Sequence, residues 1–118
     1  MLQIPSALRE LLIENGRRQR GLRGTRGELD FEPVLKLFTP DAGATWLLTE
    51  IDPEDPDIAF GLCDLGAGFP ELGYVDLAEI GGVRGPLGLA VEIDAAFTAT
   101  KTLSKYAKDA QRQGRIQA

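Results

Sequence analysis

Residues 44–51, ATWLLTEI, alternate: Trp46, Leu48 and Glu50 fall on one side, and Thr45, Leu47, Thr49 and Ile51 on the other. That period of two belongs to a strand, and the segments on both sides cannot continue it. Before it lies Thr39-Pro40-Asp41-Ala42-Gly43. There Pro presets φ, Asp bonds its own backbone and Gly admits a left-handed conformation. After it lies Asp52-Pro53-Glu54-Asp55-Pro56-Asp57, where two prolines remove donors and four carboxylates require water. Two further apolar runs, VLKLF (34–38) and IAFGLC (58–63), flank these breaks. Three strands joined by two turns make consecutive hairpins, an antiparallel meander that needs no long crossover.

The remaining elements attach to that meander. Residues 71–77, ELGYVDL, read as a fourth strand with Leu72 and Tyr74 on one face, and 77–80 add one helical turn. Residues 89–94, LAVEID, read as a fifth strand. Ser6 can cap a helix that begins after Pro5 and ends at Asn15-Gly16, with Leu8, Leu11 and Leu12 on its inner stripe. Thr100 or Thr102 starts a last helix carrying Leu103, Tyr106, Ala107 and Ala110 on one side. The expected architecture is α+β: one domain over residues 1–118, with an antiparallel sheet of about five strands in a meander, flanked by an N-terminal and a C-terminal helix. A chain of 118 residues supports one core rather than two.

Several chemistries are excluded. The chain has no His and one Cys, which removes Ser-His and Cys-His nucleophiles, an imidazole base and a structural zinc site. A calcium loop starting at Asp52 would need Gly at its sixth position and Glu at its twelfth, but Asp57 and Cys63 stand there. Cys63 on a core strand reads as an inert thiol. The loop around Gly66-Ala67-Gly68 lacks the spacing of a phosphate-binding motif. No run reaches the roughly 20 apolar residues of a membrane span, and the N-terminus lacks the basic start and apolar core of a signal peptide. The expectation is a cytoplasmic chain with no catalytic residue, metal or cofactor.

Charge is what remains. Between residues 41 and 94 twelve acids meet one base, Arg84, so this segment carries −11; the other residues, with twelve bases and six acids, carry +6. The acidic middle reads either as a solvated sheet face beside basic helices or as a surface that docks on a groove built for phosphate. On the second reading the partner-binding residues are Asp41, Glu50, Asp52, Glu54, Asp55, Asp57, Asp64, Glu71, Asp76 and Glu79. Residues 16–29 form an Arg/Gly-rich mobile loop. Its Arg17, Arg18, Arg20, Arg23 and Arg26 offer an alternative, contact with a nucleic-acid backbone by an accessory protein. Arg84 is read as ion-paired with a neighbouring carboxylate, or as a binding residue on the tight turn of residues 83–89.

Three blocks, KLFTPDAGATWLLTEID (36–52), FGLCDLGAGFPELGYVDL (60–77) and VRGPLGL (83–89), together resemble a small bacterial family, domain of unknown function 2958. The resemblance covers roughly residues 30–106 and carries over no catalytic residues. It implies a protein of plasmids, conjugative elements or phage-related DNA, in a family with at least one member that acts as an anti-CRISPR protein. The implied partner is a CRISPR effector nuclease, whose guide and target strands occupy positively charged channels that an acidic surface can contest.

Overall fold

The computed structural model describes residues 2–118. The chain runs α1 (Ser6–Gln19), β1 (Leu35–Phe38), β2 (Thr45–Asp52), β3 (Asp55–Asp64), β4 (Glu71–Asp76), α2 (Leu77–Gly81), β5 (Glu92–Ile93) and α3 (Leu103–Gln113). The five strands make one open antiparallel sheet in the order β4-β3-β2-β1-β5. Helix α1 packs on one face, over Leu35, Leu37, Trp46, Leu48 and Ile51. Helix α3 covers the other, setting Leu103, Tyr106, Ala107 and Ala110 on Leu47, Phe60 and Leu62. The sheet is therefore buried on both sides at its centre. Each fully buried Leu removes apolar surface worth about 2 kcal/mol. Among the described residues no helix is long and apolar enough to cross a membrane.

Four expectations are corrected. First, the fifth strand shrinks to Glu92–Ile93, and it pairs with β1 rather than β4. Only the first four strands form the meander; residues 77–91 carry the chain to the opposite edge. Second, the acidic break is narrower than its composition suggested. Asp52 pairs with Asp55, so Pro53 and Glu54 alone turn the chain, and Pro56 sits in β3 where no partner residue stands opposite.

Third, β2 does not alternate throughout. Leu48 faces Gly61 while Glu50 faces Phe60, so Thr49 is an extra residue, a β-bulge. Residues directly opposite in a ladder share a face. Glu50 is thereby placed on the side of Phe60 and Leu47, away from Trp46 and Leu48, and Ile51 joins the Trp46 side. Fourth, α1 does not stop at Gly16 but continues to Gln19, so the Arg/Gly-rich loop starts four residues later than expected.

Beyond α1 the loop is a series of turns. Leu22 N, Thr25 N and Glu28 N each bond a carbonyl three residues back, and Gly21 and Gly24 supply φ values of 75° and 81°. The glycines of this segment thus have a turn-forming task. Gln19, only 2% exposed, closes the series: its Nε2 donates to Leu29 O at 2.8 Å and its Oε1 accepts from Leu29 N at 2.9 Å.

Helix α3 is capped from a distance. Thr102 occupies the cap position without its side chain bonding the helix backbone, and Asp30 takes that place, accepting from Ser104 N at 3.1 Å and from Ser104 Oγ at 2.5 Å. Burial raises the Asp30 pKa, but the Ser104 and Thr102 hydrogen bonds and the Lys105 charge together hold it below the usual carboxylate value. A depressed folded-state pKa means a contribution present above the unfolded value of about 3.9 and lost as pH falls through the lower folded value. Asp30→Ala should therefore cost about 1 kcal/mol at pH 7, as lost helix caps do. It should also flatten the acid limb of a circular-dichroism titration, the two proteins converging below that limb. Equal urea midpoints at pH 7 would refute the cap.

Candidate interaction surface

The register sorts the acids by end of the sheet. The β2–β3 turn and the start of α2 lie at the same end, because β4 runs back along β3 until Asp76 reaches Ile58. Asp52, Glu54, Asp55, Asp57, Asp76 and Glu79 therefore gather there. Several are held in place by backbone. Asp52 accepts from Glu54 N at 2.9 Å and Asp55 from Asp57 N at 3.2 Å. Asp76 caps α2 by accepting from Ala78 N at 2.8 Å and Glu79 N at 3.3 Å. Across this end reaches one arginine, Arg20, 3.4 Å from Glu54, in a pair exposed enough to be worth little.

Asp41, Asp64 and Glu71 belong to the opposite end, one β2 length away, about 26 Å at 3.3 Å per residue. Two of these three have internal roles. Asp64 is 2% exposed and accepts from Gly66 N at 2.8 Å and Ile116 N at 2.9 Å, tying the tail behind α3 to the β3–β4 turn. Asp41 accepts from Leu87 N at 2.7 Å, which clamps the turn of residues 83–89 onto the turn of residues 39–44. Two of the blocks that carry the family resemblance thus meet in space. Glu71 stays exposed.

Glu50 lies between the ends and inside. It is 6% exposed, with Arg23 Nη2 at 2.5 Å and Thr49 Oγ1 at 2.9 Å from its Oε1. The Arg23 guanidinium lies 3.5 Å from the centre of the Phe60 ring, and its Nη1 is 3.7 Å from Glu28. A cleft of about 240 Å³ is lined by Arg23 with Arg20, Asp52, Glu54 and Tyr74. A second, of about 230 Å³, is lined by Arg23 with Asp30, Leu72 and Ser104. Arg23, Glu50 and Phe60 line both.

The acidic set is accordingly corrected: no single face carries it, and Glu50 and Asp64 are interior residues. Of the ten, the six at the β2–β3 end are brought together. The five arginines do not converge either. Arg17 pairs with Glu14, Arg20 with Glu54 and Arg23 with Glu50; Arg18 lies 5.1 Å over the Phe31 ring, and Arg26 is exposed. Arg84 donates to the carbonyls of Gly81 and Val83 in place of the expected ion pair. Burial, above all, pushes the Cys63 thiol up, with the charges of Asp64 and Glu71 adding to it, so the thiolate form is disfavoured. Among the described residues no group of three or more Cys, Asp and Glu side chains is placed to hold a metal ion.

Sequence reasoning missed the pairing of Arg23 with Glu50, which lies 27 residues away and depends on the bulge. A lone acid in an otherwise apolar strand, Glu50, was the one signal for it.

A family model described as "Protein of unknown function (DUF2958)" matches residues 3–117. No curated protein and no solved structure matches the chain.

Proposed function

Since the chain belongs to that family, its model spanning residues 3–117, we propose that it is a non-catalytic binding protein of a mobile genetic element. Its partner is a CRISPR effector nuclease, and its action is anti-CRISPR inhibition in the cytoplasm. The observation that carries the reading is the β2–β3 end of the sheet, where six acids gather under one exposed counter-ion, Arg20. Adjacent strands stand about 4.8 Å apart, so carboxylates on neighbouring strand ends form a dense, backbone-fixed row of negative charge. A groove shaped for nucleic-acid phosphate attracts such a row by the same Coulombic field. Docking there needs no bond-making group. It is also sensitive to salt, because exposed charges are screened over about 8 Å at physiological ionic strength.

The test is inhibition of guided cleavage by the purified protein, with co-purification of the nuclease. Replacing Asp52, Glu54, Asp55 and Asp57 together by Ser should weaken inhibition at least about tenfold, the effect of losing 1.4 kcal/mol. Raising salt should weaken the wild type in the same direction. Cleavage that stays unchanged under a large molar excess of the wild-type protein refutes the reading.

A further inference from the structure

Strand β4 is an edge strand: one side pairs with β3 from Glu71 to Asp76, and its other side has no partner strand among the described residues. Alternate N–H and C=O groups of such an edge point outward, a ready template for another strand. Proteins normally blunt these edges with charged side chains, Lys above all, with Pro, with extreme shortness or with a covering element. The other edge of this sheet obeys the rule, since β5 has two residues. β4 has six residues with no Pro and no Lys, and its two charges, Glu71 and Asp76, stand only at its ends.

Its side chains are also unusual for a solvated edge. Among the described residues seven large hydrophobic side chains are exposed, and four of them, Leu65, Phe69, Leu72 and Tyr74, fall within ten positions along the β3–β4 turn and β4. Tyr74 is 62% exposed although its ring is fixed edge-on against Phe60, with centroids 5.1 Å apart. Between Leu72 and Tyr74 stands Gly73; a Cβ there would meet nothing within 4 Å. Neither backbone conformation nor internal packing calls for a glycine at that position, and mid-strand glycines often mark where another chain approaches closely.

Charge decides the occupant. Residues 65–83 contain Glu71, Asp76 and Glu79 and no Lys or Arg. An antiparallel second copy centred on β4 would set Glu71 opposite Asp76, and like charges directly opposite are destabilising. A strand with Lys or Arg at both ends would instead meet an acid at each, with apolar side chains between them opposite Leu72 and Tyr74. We propose that the outer edge of β4 is a strand-addition site for an extended, basic-ended segment of a partner protein, held by main-chain hydrogen bonds and read by its alternate side chains. The inference deepens the reading of the chain as a binding protein and does not depend on the partner being a nuclease.

The full chain is titrated with a synthetic Lys-Thr-Val-Thr-Val-Lys peptide, with a counterpart carrying Glu at both ends, and with a copy of the first N-methylated on alternate residues. Amide hydrogen exchange and chemical shifts are recorded. Saturable binding of the first peptide alone is expected, with at least about tenfold slower exchange at alternate amides of residues 71–76, an opening cost raised by 1.4 kcal/mol. Tyr74→Lys should abolish the protection; if that variant fails to fold, Leu72→Lys carries the same test. Absent binding, binding indifferent to N-methylation, protection elsewhere, or sedimentation as a dimer that protects these amides without peptide would each overturn the proposal. Peptide binding by a protein that fails to inhibit any nuclease supports the edge site and removes only the nuclease.

Discussion

Gly16→Ala should destabilise the protein by about 3 kcal/mol or more, the upper range for overpacking a closely packed contact. Helix propensity alone gives the opposite sign, since Ala for Gly inside a helix is worth close to 1 kcal/mol of stabilisation. Packing decides here. A Cβ on Gly16 would sit 1.9 Å from the carbonyl oxygen of Ile51 and 3.0 Å from its carbon, both main-chain atoms of β2. Neither can swing aside as a side-chain tip would. Relief requires lifting α1 off the sheet, and with it Leu12 out of the cluster it shares with Trp46 and Ile51. In urea unfolding the midpoint should fall sharply with little change in slope, and the melting temperature should drop by about 10 °C or more. A variant as stable as wild type would show that α1 does not approach β2 this closely.

Arg23→Ala should cost about 3 kcal/mol, the low end of the range for breaking a buried ion pair by removing one partner, because a quarter of the Arg23 side chain is exposed. Glu50 would remain inside the protein with a negative charge answered by one hydroxyl, that of Thr49. The Phe60 ring would lose the guanidinium lying over it. Removing both charges is different. Arg23→Leu with Glu50→Leu leaves no orphan, and such replacements are often neutral or stabilising. The expected pattern is therefore a large loss for the single change and recovery in the double change, read as a coupling energy from urea curves. A single change within 1 kcal/mol of wild type would mean that the pair is not desolvated.

The hairpins were legible because their signals are local. Residues 44–51 alternate, Pro40 with Gly43 and Pro53 with Glu54 break the pattern, and strands laid down in sequence pair with their neighbours. The same local reading found β4, the α2 turn and the inner stripe of α3. It misjudged α1 at Gly16, because a helix-stopping glycine and a glycine demanded by a neighbouring backbone look alike in sequence. The joining of β5 to β1 was hidden, as were the Asp30 cap on α3, 74 residues away, and the seating of Arg23 on Glu50. Each is a contact between segments distant in sequence, and none imposes a period on either one. For the acids the limit was different: composition counted twelve negative charges but could not separate those that hold the fold, Asp41, Glu50 and Asp64, from those that face outward.

The extra residue at Thr49 gives β2 an odd–even change of parity. Upstream of it, even-numbered positions look toward α1; downstream, odd-numbered ones do. Leu48 and Glu50 already occupy successive rungs opposite Gly61 and Phe60. Excising Thr49 would therefore leave Glu50 and Ile51 looking the way they look now, at the loss of the hydroxyl that Glu50 accepts from. Excision of any residue outside the bulge lacks that spare rung, and the facing of its neighbours survives only if the bulge gives up its surplus in exchange. In any lineage of this protein, then, position 49 is the place where the strand can change its length by one without turning itself inside out.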